Sequence, residues 1–419
     1  MKQVAVSILL CLTAAAADWP QWRGPNRDGI SQETGLLPEW PEEGPKLLWQ
    51  LTEIGDGYAT PAIAGAHIYM LSSHGVEDEF VQSRAVKDGK LEWSRRLGKV
   101  GKPNQMPSYP KARSTPTVDG TRLYALSSDG DLACLDAATG KIIWQKNLQT
   151  DFDGKPGVWA YAESPLVDGD VVVATPGGKE ATIIALNKHT GAVIWKSAVP
   201  GGDAAAYASA IAVEAAGRKQ YVQFLGAGVV GVDAKTGRFL WRYDGTSKGP
   251  ANIATPVALG DFIYNTNARR FGAALVQLHP TAGGISSEQV YLERDLPNTL
   301  GGQVLIGKYI YGTNPKGPVA AEFATGKIQW QNEGLGPGSV LYAEGRLYFH
   351  GENGEVELVE ATPEAYRRKG HFTPPAQPAH ATAGGGTRDE HAWSYPVVAN
   401  GRMYIRDRGT LWCYDIKAR

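Results

Sequence analysis

The chain has 419 residues, and its 42 Lys and Arg against 43 Asp and Glu leave a formal net charge of −1, which excludes the basic face that a nucleic-acid backbone demands. With 42% hydrophobic and 20% charged residues it can bury a sizeable core and is not a disordered chain. Three cysteines exclude a disulfide scaffold, while 51 glycines and 12 tryptophans point to many tight turns and a recurring aromatic role.

Residues 1–17 read as a cleaved secretory signal: Lys2 is the positive start, Val4 to Leu12 the apolar run and Ala15-Ala16-Ala17 the small-residue cleavage site. Cys11 follows bulky Leu9 and Leu10, where lipoprotein processing wants small residues. No later stretch approaches the ~20 apolar residues that cross a bilayer, so a periplasmic or secreted protein without a transmembrane segment is expected. Residues 18–44, opening Trp19-Pro20-Gln21-Trp22, form an aromatic N-terminal segment, and 45–419 one repeating domain.

The repeating unit is a strand pair, a turn and a tryptophan four residues beyond a turn glycine. In chain order the pairs are Gly89 with Trp93, Gly140 with Trp144, Gly191 with Trp195, Gly237 with Trp241 and Gly326 with Trp330. From Trp49, the first four spacings are 44, 51, 51 and 46 residues, and the wider gap before Trp330 leaves room for a copy whose aromatic is Tyr291. The segments between alternate in Val, Ile and Tyr and lack helical period. Such units imply an all-β, eight-bladed β-propeller of four-stranded antiparallel blades, with units starting near residues 59, 115, 164, 209, 255, 302, 339 and 395. The eighth lacks an outer strand, which Pro45–Leu51 can supply from the other end of the chain, closing the ring and hiding two sheet edges.

Glycine supplies the positive φ of the turn and threonine a hydrogen bond across it, so Trp49, Trp93, Trp144, Trp195, Trp241 and Trp330 are expected as structural docking residues between blades. Cys134 and Cys413 share a register in different blades, too far apart for a disulfide, and are expected as core thiols.

The run Leu135-Asp136-Ala137-Ala138-Thr139-Gly140 through Trp144, with Val232-Asp233-Ala234-Lys235-Thr236-Gly237 through Trp241, resembles the docking motif of PQQ-like repeat β-propellers. That family holds quinoprotein alcohol dehydrogenase-like enzymes and BamB-like lipoproteins. The opening Trp19 to Gly29 and the ending Arg402 to Asp407 are similar to an exported bacterial subgroup of it. For the enzymes the resemblance implies PQQ, a vicinal cysteine pair, a Ca²⁺ held by Glu, Asn and Asp, and a basic residue at the quinone; no Cys-Cys stands here. For the BamB-like members it implies docking of a partner through exposed loops.

Polar and aromatic residues just before the inner strands would line the mouth of the central channel: Tyr58, Arg113, Tyr161, Glu163, Tyr207, Asn252, Asn298 and Trp393. They are candidates for cofactor binding, with Glu163 a candidate Ca²⁺ ligand, or else for capping strand ends; Glu163 could instead pair with Arg113. His371, His380 and His391 lie in a Pro/Gly-rich insertion at spacings unlike a zinc site. Gly177-Gly178-Lys179 lies between two strands and reads as a hairpin turn rather than a phosphate loop. The leading expectation is a monomeric cell-envelope scaffold that docks a protein partner or small ligand; the alternative is a PQQ-dependent alcohol or sugar dehydrogenase.

Overall fold

Alternating apolar residues fold each unit into a four-stranded antiparallel meander, and eight such sheets make the ring. The computed structural model describes residues 17–103, 111–247, 249, 251–267, 271–375 and 391–418; residues 1–16, with Cys11, and His380 lie outside them. Blades 1 to 7 occupy residues 62–98, 117–147, 166–197, 211–243, 257–293, 303–331 and 338–372. Blade 8 takes its three inner strands from Val397–Ala399, Arg402–Asp407 and Thr410–Asp415. Its outer strand is Lys46–Leu51, antiparallel to the last, with Trp49 opposite Cys413. Helix is nearly absent from the described residues, which hold one short segment, Leu148–Phe152.

The packing follows the strand period. In blade 2, Tyr124, Leu126, Leu132 and Cys134 face blade 3, where they meet Val172, Ala174, Ile184 and Leu186. The intervening Leu123, Ala125, Ala133 and Leu135 face blade 1 and meet Tyr69, Leu71 and Val81. Both faces of every middle strand are therefore buried, which is why these strands read as nearly unbroken apolar runs. Cys134 and Cys413 are buried free thiols.

The turn and the tryptophan act across the blade boundary. Thr139 Oγ1 donates to Asp136 Oδ1 at 2.7 Å, closing the turn, and Gly140 sits at φ +68°. The indole of the preceding blade then covers that glycine. Trp93 Nε1 donates to Ala137 O at 3.0 Å, Trp144 to Lys188 O at 2.9 Å, and Trp195 to Ala234 O at 3.2 Å. Trp330 reaches Thr362 O at 2.7 Å and Trp49 reaches Val86 O at 3.3 Å. Tyr291 does the same with its hydroxyl, 2.7 Å from Phe323 O. Trp241 differs: its indole donates to Gln220 of its own blade at 2.5 Å. The physical reason is that blade 5 lacks the Thr-Gly turn and carries instead a long hairpin, Gly272–Thr281 and Gly284–Glu293, so no glycine seat awaits the ring.

Candidate functional site

A four-stranded meander alternates its connections between two ends, so the ring has two unlike faces. The lower face carries the turns between first and second strands and the Thr-Gly turns. On the upper face the chain enters each inner strand.

From the lower face the aromatic N-terminal segment enters the central channel. Residues 18–33 form a compact loop whose ends lie side by side: Asp18 Oδ1 accepts from Gly65 N at 2.8 Å and Glu33 from Asn400 N, while Asn400 Nδ2 donates to Gly65 O at 3.2 Å. Its path touches every blade. Trp19 exchanges two 2.8 Å backbone bonds with Ile63 of blade 1, and Pro20 O accepts from Val118 N of blade 2 at 2.8 Å. Arg27 at the tip donates to Ser164 O and Pro165 O before blade 3 and to Ala210 O before blade 4, the first and last at 3.1 and 3.0 Å. Trp22 Nε1 donates to Thr255 Oγ1 before blade 5 at 2.9 Å, and Arg23 donates to Gln303 O of blade 6. Ile30–Ser31 pairs in parallel with the inner strand of blade 7, adding a fifth strand there. Glu33 accepts from Asn400 N and Gly401 N of blade 8 at 2.8 and 2.9 Å.

Both arginines of this loop are buried and left-handed, each at φ 59°, a conformation that costs a non-glycine residue about 1 kcal/mol or more and persists only where contacts over-determine it. Burial lowers the Arg27 pKa to about 9, partly offset by the charge of Glu163. Trp22, Arg23, Arg27 and Glu33 carry no repeat signature. Their trace in the sequence is the opening run Trp19 to Gly29, which is dense in turn formers from Gly24 onward.

Around the upper mouth, Tyr58, Arg113, Tyr207 and Trp393 come together with one neighbour, Trp159. Tyr58 and Trp393 rings lie 5.2 Å apart, and Trp159 and Tyr207 rings 5.5 Å apart. Arg113 joins the pairs: it donates to Trp159 O, and its charge acts on both Tyr58 and Tyr207. The charge of buried Glu79 also acts on Arg113, and burial raises the Glu79 pKa to about 7 against two hydrogen bonds from Ser128. His391 stacks on Trp393 at 5.7 Å, whereas His371 is not in a loop but in the outer strand of blade 7, opposite Glu357.

The other candidates do not reach that arc. Tyr161 is a core residue whose hydroxyl donates to Pro176 O at 2.9 Å. Glu163 is 3% exposed; Oε1 accepts from Thr175 N and Oε2 from Gln223 Nε2 at 2.9 Å. Burial raises its pKa to about 7, opposed by these bonds and by Arg27. Asn252 donates to Leu225 O and Gly226 O and accepts from Asn267 at 2.5 Å. Asn298 donates to Arg294 O at 2.6 Å and lines a separate cleft of about 440 Å³ between blades 5 and 6, with Phe271, Arg294 and Lys316. Gly177 and Gly178 close a turn, donating to Thr182 O and Ala181 O. Among the described residues no helix is long and apolar enough to cross a membrane.

The solved structure of BamB from Moraxella catarrhalis aligns with a TM-score of 0.60 and 15% identity over 88% of this chain and 98% of that one. Quinohemoprotein alcohol dehydrogenase from Comamonas testosteroni gives 0.64 and 13%, over 96% and 81%. At such identities both show the fold alone. In sequence, the outer membrane protein assembly factor BamB of Yersinia pestis is 25% identical over 263 residues, 58% of this chain, and the match spans 62% of that relative's length. The PQQ_2 family model, described as outer membrane protein assembly factor BamB, matches residues 102–332, more than half of the chain, and the protein belongs to that family.

Proposed function

We propose that this protein is a non-catalytic scaffold of the cell envelope that docks a protein partner through the loops of its upper face. The observation that carries the reading is the arc of Tyr58, Trp393, Trp159 and Tyr207 joined by Arg113. Rigid aromatics beside a guanidinium are the side chains that dominate protein interfaces, and this arc lies on the face opposite to the one the N-terminal loop enters. Val158, 54% exposed beside Trp159, extends it with apolar surface. The relatives named as assembly factors favour the same role, and export to the envelope agrees with the signal-like residues 1–17.

A photo-crosslinking residue at Val158 tests the role, with Ile143 on the lower rim as control. One discrete adduct from Val158, absent from Ile143 and lost in Trp159→Ala, supports docking. The second reading, a PQQ-dependent alcohol or sugar dehydrogenase, draws on the likeness to the quinohemoprotein fold. Dye-coupled oxidation of alcohols or sugars by the purified protein with PQQ and Ca²⁺ would overturn the scaffold role.

A further inference from the structure

We infer that the loop 18–33 is the channel's own resident, with Arg27 supplying near Glu163 the positive charge that a bound cation would bring, so that this propeller takes neither quinone nor metal on its axis.

Three observations carry this. First, the loop bonds to all eight blades, so no sector of the channel wall at its level is left for a planar ligand. The Trp22 ring meets Tyr395 edge-on at 4.6 Å while its N–H is spent on Thr255. Second, the loop packs as core. A Cβ on Gly24 would come 2.7 Å from the Trp19 ring, one on Gly29 2.7 Å from Val304 Cγ1, and one on Gly302 2.6 Å from Arg23 Nη1. Contacts this close leave no layer for a ligand between loop and wall.

Third, the candidate calcium ligand Glu163 and the candidate cofactor residue Asn252 already have their polar atoms engaged. Glu163 accepts from Thr175 and Gln223, and Asn252 is bonded at both ends of its amide. A hard cation wants six or more oxygens, and among the described residues no three of His, Cys, Asp or Glu stand together to hold one. Arg27 Nη1 donates at 3.1 Å to Ser164 O, the residue that follows Glu163, so a cation held at Glu163 would meet the buried guanidinium charge. The residues present do not fit calcium with PQQ. This holds whether or not the upper face docks a partner.

Two measurements test it. The mature protein is dialysed against PQQ with and without Ca²⁺ and its melting temperature is followed. No retained PQQ and no calcium-dependent shift are expected, whereas stoichiometric calcium-dependent retention overturns the inference. Melting temperatures of Arg27→Met, Glu163→Gln and the pair then test the charge role. Because Arg27→Met leaves a buried carboxylate without its counter-charge, the pair should recover at least half of the loss that Arg27→Met causes alone. Additive losses overturn the role. If Arg27→Met does not fold, a folded Arg27→Met/Glu163→Gln protein is the expected recovery, and failure of both assigns the loss to the carbonyl bonds and overturns the charge role.

Discussion

Gly140 of blade 2 lies flat against the Trp93 indole of blade 1: a Cβ there would come 2.5 Å from Cε3 of the ring. Gly191 stands so to Trp144 at 2.8 Å and Gly237 to Trp195 at 2.4 Å. The glycine is thus required twice, for its positive φ and for the ring that covers it, and the tryptophan it is spaced from in sequence is not the one it touches. Each of these three rings serves the next blade.

Gly140→Ala should therefore destabilise by about 2 to 4 kcal/mol, summing left-handed strain and overpacking. Urea unfolding measures it. A loss no greater than that of Gly120→Ala, a positive-φ turn with open space around it, would mean the ring yields freely.

Trp144→Ala and Trp195→Ala should each cost about 3 to 5 kcal/mol, as other large buried aromatics do. Both rings are only 8% exposed. Calorimetry of the two variants decides; near-zero losses would show that the rings do not hold the blades.

Removing the chain through Leu51 takes away the outer strand of blade 8 and the channel loop together. The expected outcome is aggregation with loss of cooperative unfolding, since an exposed strand edge templates pairing. Light scattering and a melting curve check it, and a monomer with unchanged melting temperature would refute the closure.

Glu163 and Glu79 have their pKa values raised to about 7 by burial, so each binds more protons folded than unfolded. The stability they contribute is full below the unfolded value near 4.5 and is lost as pH rises through about 7. Glu163→Gln should flatten that part of the stability curve by at most about 3 kcal/mol, since each tenfold change in proton affinity is worth roughly 1.36 kcal/mol. Denaturant titrations at a series of pH values read the slope.

His350 works in the other sense. It is buried with Nδ1 2.9 Å from Ser394 O, and burial lowers its pKa to about 4. The stability it contributes is present above its unfolded value near 6.5 and is lost as pH falls through about 4. His350→Gln should remove that acid-side loss; an unchanged acid limb in the same titrations would show the imidazole is not held neutral.

Blade count, the unit starts to within three residues, the free thiols and the borrowed strand were all legible from residue order. The motif recurs, so each copy corrects the reading of the others. Even the aberrant copy could be read, because Tyr291 keeps the place of the absent tryptophan. Trp241 could not, because its seat is lacking in the following blade, not in its own.

Local spacing by itself determined an all-β ring of eight blades, because strand period, turn glycine and docking ring interact within one unit or with the next. Only the tertiary structure decided where residues 18–44 go and which candidates converge. The contacts of that segment are singular and span the chain, as in Ser31 Oγ to Val398 O across 367 residues, so no repeat announces them. The mouth residues look equivalent in sequence, each preceding an inner strand. Whether such a side chain faces the mouth, as Tyr58 does, or turns into strand-end groups, as Glu163 does, depends on which partners the neighbouring blades and Arg27 bring within hydrogen-bonding reach.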